Sequence, residues 1–178
     1  MSDNKGWRYC PVCGGGLVGG NDKLHGRCRE CGQVWWRNSK PTVAVVIYNK
    51  DNPWEIVLTR RKIEPKLGEL DMVGGFVDAG EVFEEAVARE VREELGLEVK
   101  LEDFEFRGHE LGDDYVHGVE RYQCLDAWYV LGIDKKTELR GDEEIAEVLW
   151  WDLKKQGMPK LAFVNNQREL EQYVTGIK

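Results

Sequence analysis

The chain lacks the features of a membrane or secreted protein. Its 178 residues contain no apolar run long enough to cross a bilayer, and residues 1–8 are polar, without the apolar core of a signal peptide. Only five prolines and three histidines are present. These absences predict a cytoplasmic protein with no membrane partner.

Positive charge is also scarce. The chain has 25 Lys and Arg residues against 33 Asp and Glu residues, which gives a formal net charge of −8. Binding to the phosphates of a nucleic-acid polymer requires clustered basic residues, so we expect no such partner. A small anionic substrate remains compatible with this charge if metal ions bridge it to the protein.

Four of the five cysteines form two Cys-x-x-Cys pairs, Cys10 with Cys13 and Cys28 with Cys31. This spacing is typical of a tetrahedral Cys₄ zinc site. Residues 1–38 are too few to fold on an apolar core alone, so we predict a zinc-ribbon domain of two short hairpins. A disulfide pair and ligation by His25 are the alternatives; we expect His25 to be an exposed hairpin residue instead.

The rest of the chain, residues 39–178, predicts a single α/β or α+β domain. β-Branched and apolar runs predict strands, and Cys124 in one of them is expected to be a buried, inert thiol. Apolar residues at helical spacing predict two helices, the first ended by Gly96. We predict strands over 42–48, 55–60, 99–107, 121–131 and 147–152, a loop over 60–69, and helices over 82–95 and 161–174.

The first helix carries an acidic cluster. Glu93 and Glu94 follow Glu90 by three and four residues, so a helix brings the three carboxylates to one side. Such a cluster repels itself unless a cation binds, and hard cations such as Mg²⁺ prefer oxygen ligands. The pattern predicts a metal-binding catalytic helix.

This helix belongs to a longer motif, Gly-x5-Glu-x7-Arg-Glu-hydrophobic-x-Glu-Glu-x-Gly-hydrophobic, which resembles the signature of the Nudix hydrolases. The resemblance implies an αβα sandwich with a mixed sheet. It also implies catalytic Mg²⁺ or Mn²⁺ that binds a diphosphate and activates water. The positions that match are Gly75, Glu81, Arg89, Glu90, Val91, Glu93, Glu94, Gly96 and Leu97.

The resemblance also implies roles for individual residues. Glu90 and Glu94 would be the main metal ligands, joined by Glu93 and by the carbonyl of Gly74. An ion pair between Glu81 and Arg89 would orient Glu90; the alternative is an exposed salt bridge of little effect. A further carboxylate that acts as a base or ligand is expected from a late loop, where Glu143 and Glu144 are the candidates, and a solvated acidic turn is the alternative.

A zinc ribbon followed by a Nudix domain is similar to a subgroup of ADP-ribose and NADH pyrophosphatases. This implies a small nucleotide substrate, a nucleoside diphosphate linked to another moiety, such as ADP-ribose, NADH or FAD. The chain lacks the Ser-Gln-Pro-Trp array of the NADH enzymes and the downstream proline of the ADP-ribose enzymes. A house-cleaning nucleoside triphosphate pyrophosphohydrolase and a non-catalytic nucleotide-sensing module therefore stay open, as does assembly into a homodimer.

Aromatic residues could contact a base. Tyr115 follows the motif at a spacing seen in dinucleoside polyphosphate hydrolases, and Tyr122, Trp128 and Tyr129 share one predicted strand. Alternating aromatic residues in a strand more often belong to the core, and we expect that outcome for this strand.

Overall fold

The computed structural model describes residues 7–21, 23–117 and 120–177 and divides into two compact units between Ser39 and Lys40. The smaller unit holds a three-stranded antiparallel sheet of β1 (Leu17–Val18), β2 (Leu24–Cys28) and β3 (Val34–Trp36). The predicted hairpins therefore share β2.

His25 differs from its prediction. It is half-buried rather than exposed, because the indole of Trp7 stacks on its ring with the centroids 4.3 Å apart. A flat imidazole on a short strand offers an apolar face, and in so small a unit an aromatic pair supplies part of the packing that a larger core would provide.

The larger unit contains a mixed seven-stranded sheet and helices on both of its faces, as predicted. Its elements are β4 (Lys40–Asn49), β5 (Asn52–Arg61), β6 (Leu70–Asp71), β7 (Val73–Phe76), α1 (Phe83–Leu95), β8 (Glu105–His117), β9 (Glu120–Ile133), β10 (Ile145–Asp152), α2 (Leu153–Gln156) and α3 (Val164–Gly176). The strand order of the sheet is β10-β5-β4-β9-β8, with β6 paired to β5 and β7 paired to β4. The β4–β9 pair is parallel and the other pairs are antiparallel.

Strand β4 lies at the centre of the unit and is buried on both faces. Val43, Val45 and Ile47 point into one apolar cluster, whereas Ala44 and Val46 point into the other. This explains why the run is almost continuously apolar rather than alternating. The first cluster includes the apolar side of α1, and the second includes Leu170 and Tyr173 of α3.

The predicted strand over 99–107 was wrong in its first half. A short 3₁₀ turn, Leu101–Asp103, precedes β8, and the strand then continues to His117. The carboxylate of Asp103 accepts a hydrogen bond from the backbone of Lys100 at 3.3 Å, and pairing with β9 begins only at Glu105. This local hydrogen bond competes with the strand conformation.

The boundaries of the other elements differ only slightly from the prediction. β5 extends to Arg61, and α3 begins after Leu161, which instead forms a bridge to Leu70. Helix α1 ends at Gly96, whose φ of 64° is left-handed, as the sequence predicted. None of the helices in the described part of the chain is long and apolar enough to span a membrane.

Substitution Leu170→Ala should destabilise the larger unit by about 2–5 kcal/mol, because it opens a cavity under a fully buried side chain of α3. Urea unfolding followed by circular dichroism measures this change. Leu101→Ala, at a side chain that is 47% exposed, is the control and should stay within about 0.5 kcal/mol of the parent. Equal effects of the two substitutions would contradict the core assignment.

Candidate active site

A cleft of about 990 Å³ opens in the larger unit at the ends of several elements. Its walls come from β4, β7, the carboxylate side of α1 and the beginning of α3. Among the residues that line it are Gly74, Gly75, Glu90, Glu94 and Glu144. The helix and the loop that sequence analysis selected therefore meet at one cavity.

The glycine pair lets two elements approach each other closely. A Cβ atom on Gly74 would overlap the carbonyl oxygen of Val43 in the neighbouring strand, and one on Gly75 would overlap the carboxylate of Glu90. Glycine at these positions thus allows α1 to place Glu90 directly against β7.

The carboxylates of Glu90 and Glu94 share an unfavourable environment. Burial raises the pKa of Glu90 above its usual value, although hydrogen bonding to Arg89 opposes this effect. Burial is also the main cause of the strong rise in the pKa of Glu94, and the charges of Glu90, Asp71 and Asp142 add to it. A cation bound between these two carboxyl groups would stabilise their ionised forms, so the pair is a candidate cation site.

Arg89 connects most of the predicted catalytic residues. Its Nε and Nη2 donate to the two carboxylate oxygens of Glu81 at 2.9 and 3.0 Å, and Nη1 donates to Glu90 at 2.8 Å. Nη2 also donates to the carbonyl of Phe76 at 2.8 Å. The side chains of Arg89 and Glu81 are only 17% and 14% exposed, so this pair differs from an exposed surface salt bridge.

Glu93 lies apart from the other helix glutamates. Its carboxylate is 52% exposed and accepts a hydrogen bond from Arg89 Nη1 at 3.1 Å. Its side chain does not line the cleft, whereas those of Glu90 and Glu94 do. Its contribution as a metal ligand stays a prediction, as does that of the Gly74 carbonyl.

The two loop candidates occupy different positions. Both are exposed, but Glu144 lines the cleft and Glu143 does not. Their neighbour Asp142 was not among the predicted site residues, and its backbone N–H donates to the carbonyl of Glu94 at 3.2 Å. Asp142 also accepts a hydrogen bond from the backbone of Glu144, so it fixes the loop against the end of α1.

A buried polar network at the floor of the cleft escaped the sequence analysis. The side chain of Asn165 donates to both Asp126 and Asn166, and Asn166 donates to Asp71 at 2.7 Å. Arg61 closes the chain with a 3.0 Å bond to Asp71. The signal that could have revealed it is a lone Asp within an otherwise apolar strand, because a buried carboxylate requires partners.

Glu169 of α3 lies behind this floor and is fully buried. Its carboxyl group lies beside that of Asp126. Burial, and next the charge of Asp126, raise the pKa of Glu169 well above its usual value. Burial raises the pKa of Asp126 as well, so the two neighbouring carboxyl groups disfavour full ionisation.

Aromatic side chains form one wall of the cleft. The rings of Tyr115 and Tyr122 stack with their centroids 5.4 Å apart, and Phe76 contacts both edge-on. Phe163 lies 5.8 Å from Tyr115. Trp128 and Tyr129 belong to the two buried cores, as expected, whereas Tyr122 of the same strand lines the cleft and departs from that expectation.

The cysteines of the smaller unit converge on a point. Within the described residues they are the one group of three or more potential metal ligands whose donor atoms all lie within 4.8 Å of one another. The Sγ atoms of Cys10 and Cys31 are 3.8 Å apart, and those of Cys13 and Cys28 are 3.4 Å apart. A tetrahedral zinc with bonds of about 2.3 Å needs sulfur atoms about 3.8 Å apart, so the group can hold this ion.

The surroundings of Cys10 favour the thiolate, whereas those of Cys13 do not: although a hydrogen bond from the Gly15 backbone lowers the pKa of Cys13, hydrogen bonding to the neighbouring sulfur atoms raises it to about 12. Burial alone would raise the pKa of Cys10, but hydrogen bonds from the backbone of Cys13 and the indole of Trp35 outweigh it and lower the pKa to about 6. The indole nitrogen lies 3.4 Å from Cys10 Sγ. The fifth cysteine, Cys124, is buried in the larger unit, and burial raises its pKa to about 11, as expected for an inert thiol.

A mixed sheet between helices, with an arginine-clamped acidic helix facing a cleft, defines the class of the larger unit as an αβα sandwich with a carboxylate site. The family model for the NUDIX domain matches residues 38–173, and the chain belongs to this family.

Among curated proteins, the chain is similar to the ADP-ribose pyrophosphatase of Methanocaldococcus jannaschii, with 35% identity over 75% of this chain and 73% of the relative. It is also similar to the NAD-capped RNA hydrolase NudC of Photobacterium profundum, with 35% identity over 52% of this chain and 33% of the relative. The matches thus span about a third of the length of the NudC proteins.

Solved structures share the fold at lower identity. A NUDIX hydrolase from Nitrosomonas europaea superposes with a TM-score of 0.67 at 21% identity, over 95% of this chain and 91% of the other. The NUDIX domain of Shewanella oneidensis NrtR, solved with ADP ribose, gives a TM-score of 0.61 at 19% identity, over 78% and 88%.

The cysteine group predicts about one zinc per chain in elemental analysis of protein produced with zinc in the medium. Cys10→Ser should release the metal and unfold the smaller unit, because metal binding supplies its folding free energy. Cys124→Ser should keep the zinc and is the matched control. Protein without zinc, or a disulfide within the group under reducing conditions, would contradict the assignment.

The stability of the larger unit should depend on pH through Glu169. Its pKa is raised in the folded state, so above the usual value of 4.5 the folded state holds the proton more tightly than the unfolded state, and stability falls with rising pH by up to about 1.4 kcal/mol per unit. The free energy of unfolding of the Glu169→Gln variant, measured by urea denaturation, should therefore change less between pH 5 and pH 8 than that of the parent protein. Glu171→Gln, at an exposed position of the same helix, is the control; parallel curves for all three proteins would refute this role.

Proposed function

We propose that the chain is a metal-dependent pyrophosphohydrolase that cleaves the diphosphate bond of a nucleoside diphosphate linked to another moiety. ADP-ribose or a dinucleotide such as NADH or FAD is the proposed substrate. The observation that carries this proposal is the pair Glu90 and Glu94, which face the cleft with raised pKa values, Glu90 being held by a hydrogen bond from Arg89. The names of the relatives, ADP-ribose pyrophosphatase and NAD-capped RNA hydrolase, support the same reaction class.

The carboxylates fit a hard divalent cation, for which we propose Mg²⁺ or Mn²⁺. A cation held there would supply Lewis-acid stabilisation of the charge that develops on the phosphate oxygens. Arg89 fixes the orientation of Glu90 through two hydrogen-bonded partners, Glu81 and the Phe76 carbonyl. Glu144, the loop carboxylate in the cleft wall, is the proposed proton acceptor for the attacking water.

The aromatic wall supports a substrate that contains a heterocyclic base. Tyr115, Tyr122 and Phe76 present ring faces and edges beside the backbone that carries the glycine pair, and stacking against a base is favourable for any base. The net charge of −8 supports a small nucleotide over a capped RNA.

We further propose a structural zinc in the Cys₄ group, which leaves no open coordination position for substrate. Four reduced thiols suit a reducing compartment such as the cytoplasm. Assembly into a homodimer stays a prediction.

A hydrolysis panel with Mg²⁺ tests the function. ADP-ribose, NADH, FAD, diadenosine polyphosphates and oxidised deoxynucleoside triphosphates are incubated separately, and the products are separated by chromatography. The proposal expects AMP and a second phosphate product from ADP-ribose or a dinucleotide, with activity abolished by a chelator and restored by Mg²⁺ or Mn²⁺. Cleavage of triphosphates alone would favour the house-cleaning enzyme, and metal-dependent binding without turnover would favour the sensing module.

Glu90→Gln and Glu94→Gln should each lower kcat on the best substrate by roughly 10²–10⁴-fold, the scale of losing a catalytic group, because each removes a charge that holds the cation while keeping the side-chain shape. Steady-state kinetics at saturating Mg²⁺ measures the loss. Glu102→Gln, at an exposed residue outside the cleft, should leave kcat unchanged. Near-full activity of both helix variants would rule out the proposed mechanism.

A further inference from the structure

A second cavity of about 310 Å³ lies beside the C-terminal half of α3 and shares no lining residue with the cleft. Three of its nine lining residues are aromatic, Tyr48, Trp128 and Tyr173, and the rings of the two tyrosines are 5.9 Å apart. A volume of this size falls at the lower end of the range for small-molecule sites, roughly 300–1,000 Å³.

The indole of Trp128 provides an unused donor at this cavity. The side chain is 3% exposed, and its Nε1–H has no acceptor among the described residues. A Cβ atom on Gly108 would lie 3.3 Å from Nε1, so glycine at this position avoids a close contact with the indole nitrogen. A buried N–H without an acceptor is unfavourable, and a ligand that offers an acceptor would relieve this cost.

The charged groups at the cavity are cations. Lys50 and Arg107 line it, and none of the lining residues within the described chain is acidic. Lys50 forms no ion pair with any other described residue, while Arg107 bonds to Glu105 at 3.1 Å and is 42% exposed. Two other polar groups are already engaged, since Tyr173 donates to the Pro53 carbonyl at 2.8 Å and Gln172 donates to Glu110.

We propose that this cavity binds a small aromatic anion, a planar ring that carries a carboxylate or a phosphate. The ring would pack against the side of the Tyr48–Tyr173 pair that faces the cavity, and the anionic group would accept a hydrogen bond from Trp128 Nε1 near the charges of Lys50 and Arg107. The cavity offers donors, cations and flat apolar surfaces, so a ligand that supplies acceptors, negative charge and a ring is complementary to each of them. This site is separate from the cleft and does not depend on the proposed hydrolysis.

Nuclear magnetic resonance tests the proposal directly. In a ¹H–¹⁵N spectrum of the full chain, the indole cross-peak of Trp128 is assigned by its loss in Trp128→Phe. Titrations with benzoate and phenyl phosphate should shift this cross-peak saturably, whereas benzyl alcohol and inorganic phosphate should bind at least roughly five-fold more weakly, because each lacks the charge or the ring. Equal binding of benzyl alcohol would overturn the anion site, and equal binding of inorganic phosphate would overturn recognition of the ring.

Substitutions of single cationic residues test which of them contribute to binding of the anion. Lys50→Gln and Arg107→Gln should each weaken benzoate binding by roughly five- to ten-fold, the effect of losing one partly desolvated charge. Lys136→Gln, at an exposed lysine that does not line the cavity, is the control and should leave the affinity unchanged. Absence of a saturable shift in the parent protein, or equal affinities in all three variants, would overturn the proposal.

Discussion

The repulsion between two carboxylates one turn apart on α1 is the constraint on which the site depends. Glu90 and Glu94 are half-buried in the cleft wall, and burial together with the charge of Glu90 raises the pKa of Glu94 in particular. Arg89 bonds to Glu90 but not to Glu94, so among the described residues only one of the two carboxylates has this neutralising partner. The remaining negative charge favours cation binding.

Much of the fold could be read from the sequence because its signals were local. The apolar stripe of α1, its end at Gly96 and the doubly buried β4 follow from residue spacing and type, as do the convergence of the cysteines and the glycine pair against the helix. The prediction that a strand begins at residue 99 was wrong for a local reason too. The side chain of Asp103 accepts a hydrogen bond from the backbone of Lys100 and stabilises a turn, whereas the apolar residues nearby had suggested a strand.

What the sequence could not show depends on contacts between distant residues. The chain of bonds from Asp126 through Asn165 and Asn166 to Asp71 joins β9, α3 and β6, and only the folded sheet brings these elements together. Distance in sequence likewise hid the burial of Glu169 behind Asp126. Such networks restrict the cleft floor to one arrangement, since a partly satisfied buried network would be costly.

Binding of Mn²⁺ in the absence of any nucleotide tests the central claim most directly. Titration followed by electron paramagnetic resonance reports the free ion, and the Glu90→Gln/Glu94→Gln double variant is compared with the parent. The charge-matched control is Glu98→Gln/Glu102→Gln, at two exposed residues near the same helix. The account predicts that the parent and the control remove Mn²⁺ from solution equally and that the helix double variant loses this binding. Equal binding by all three proteins would contradict it.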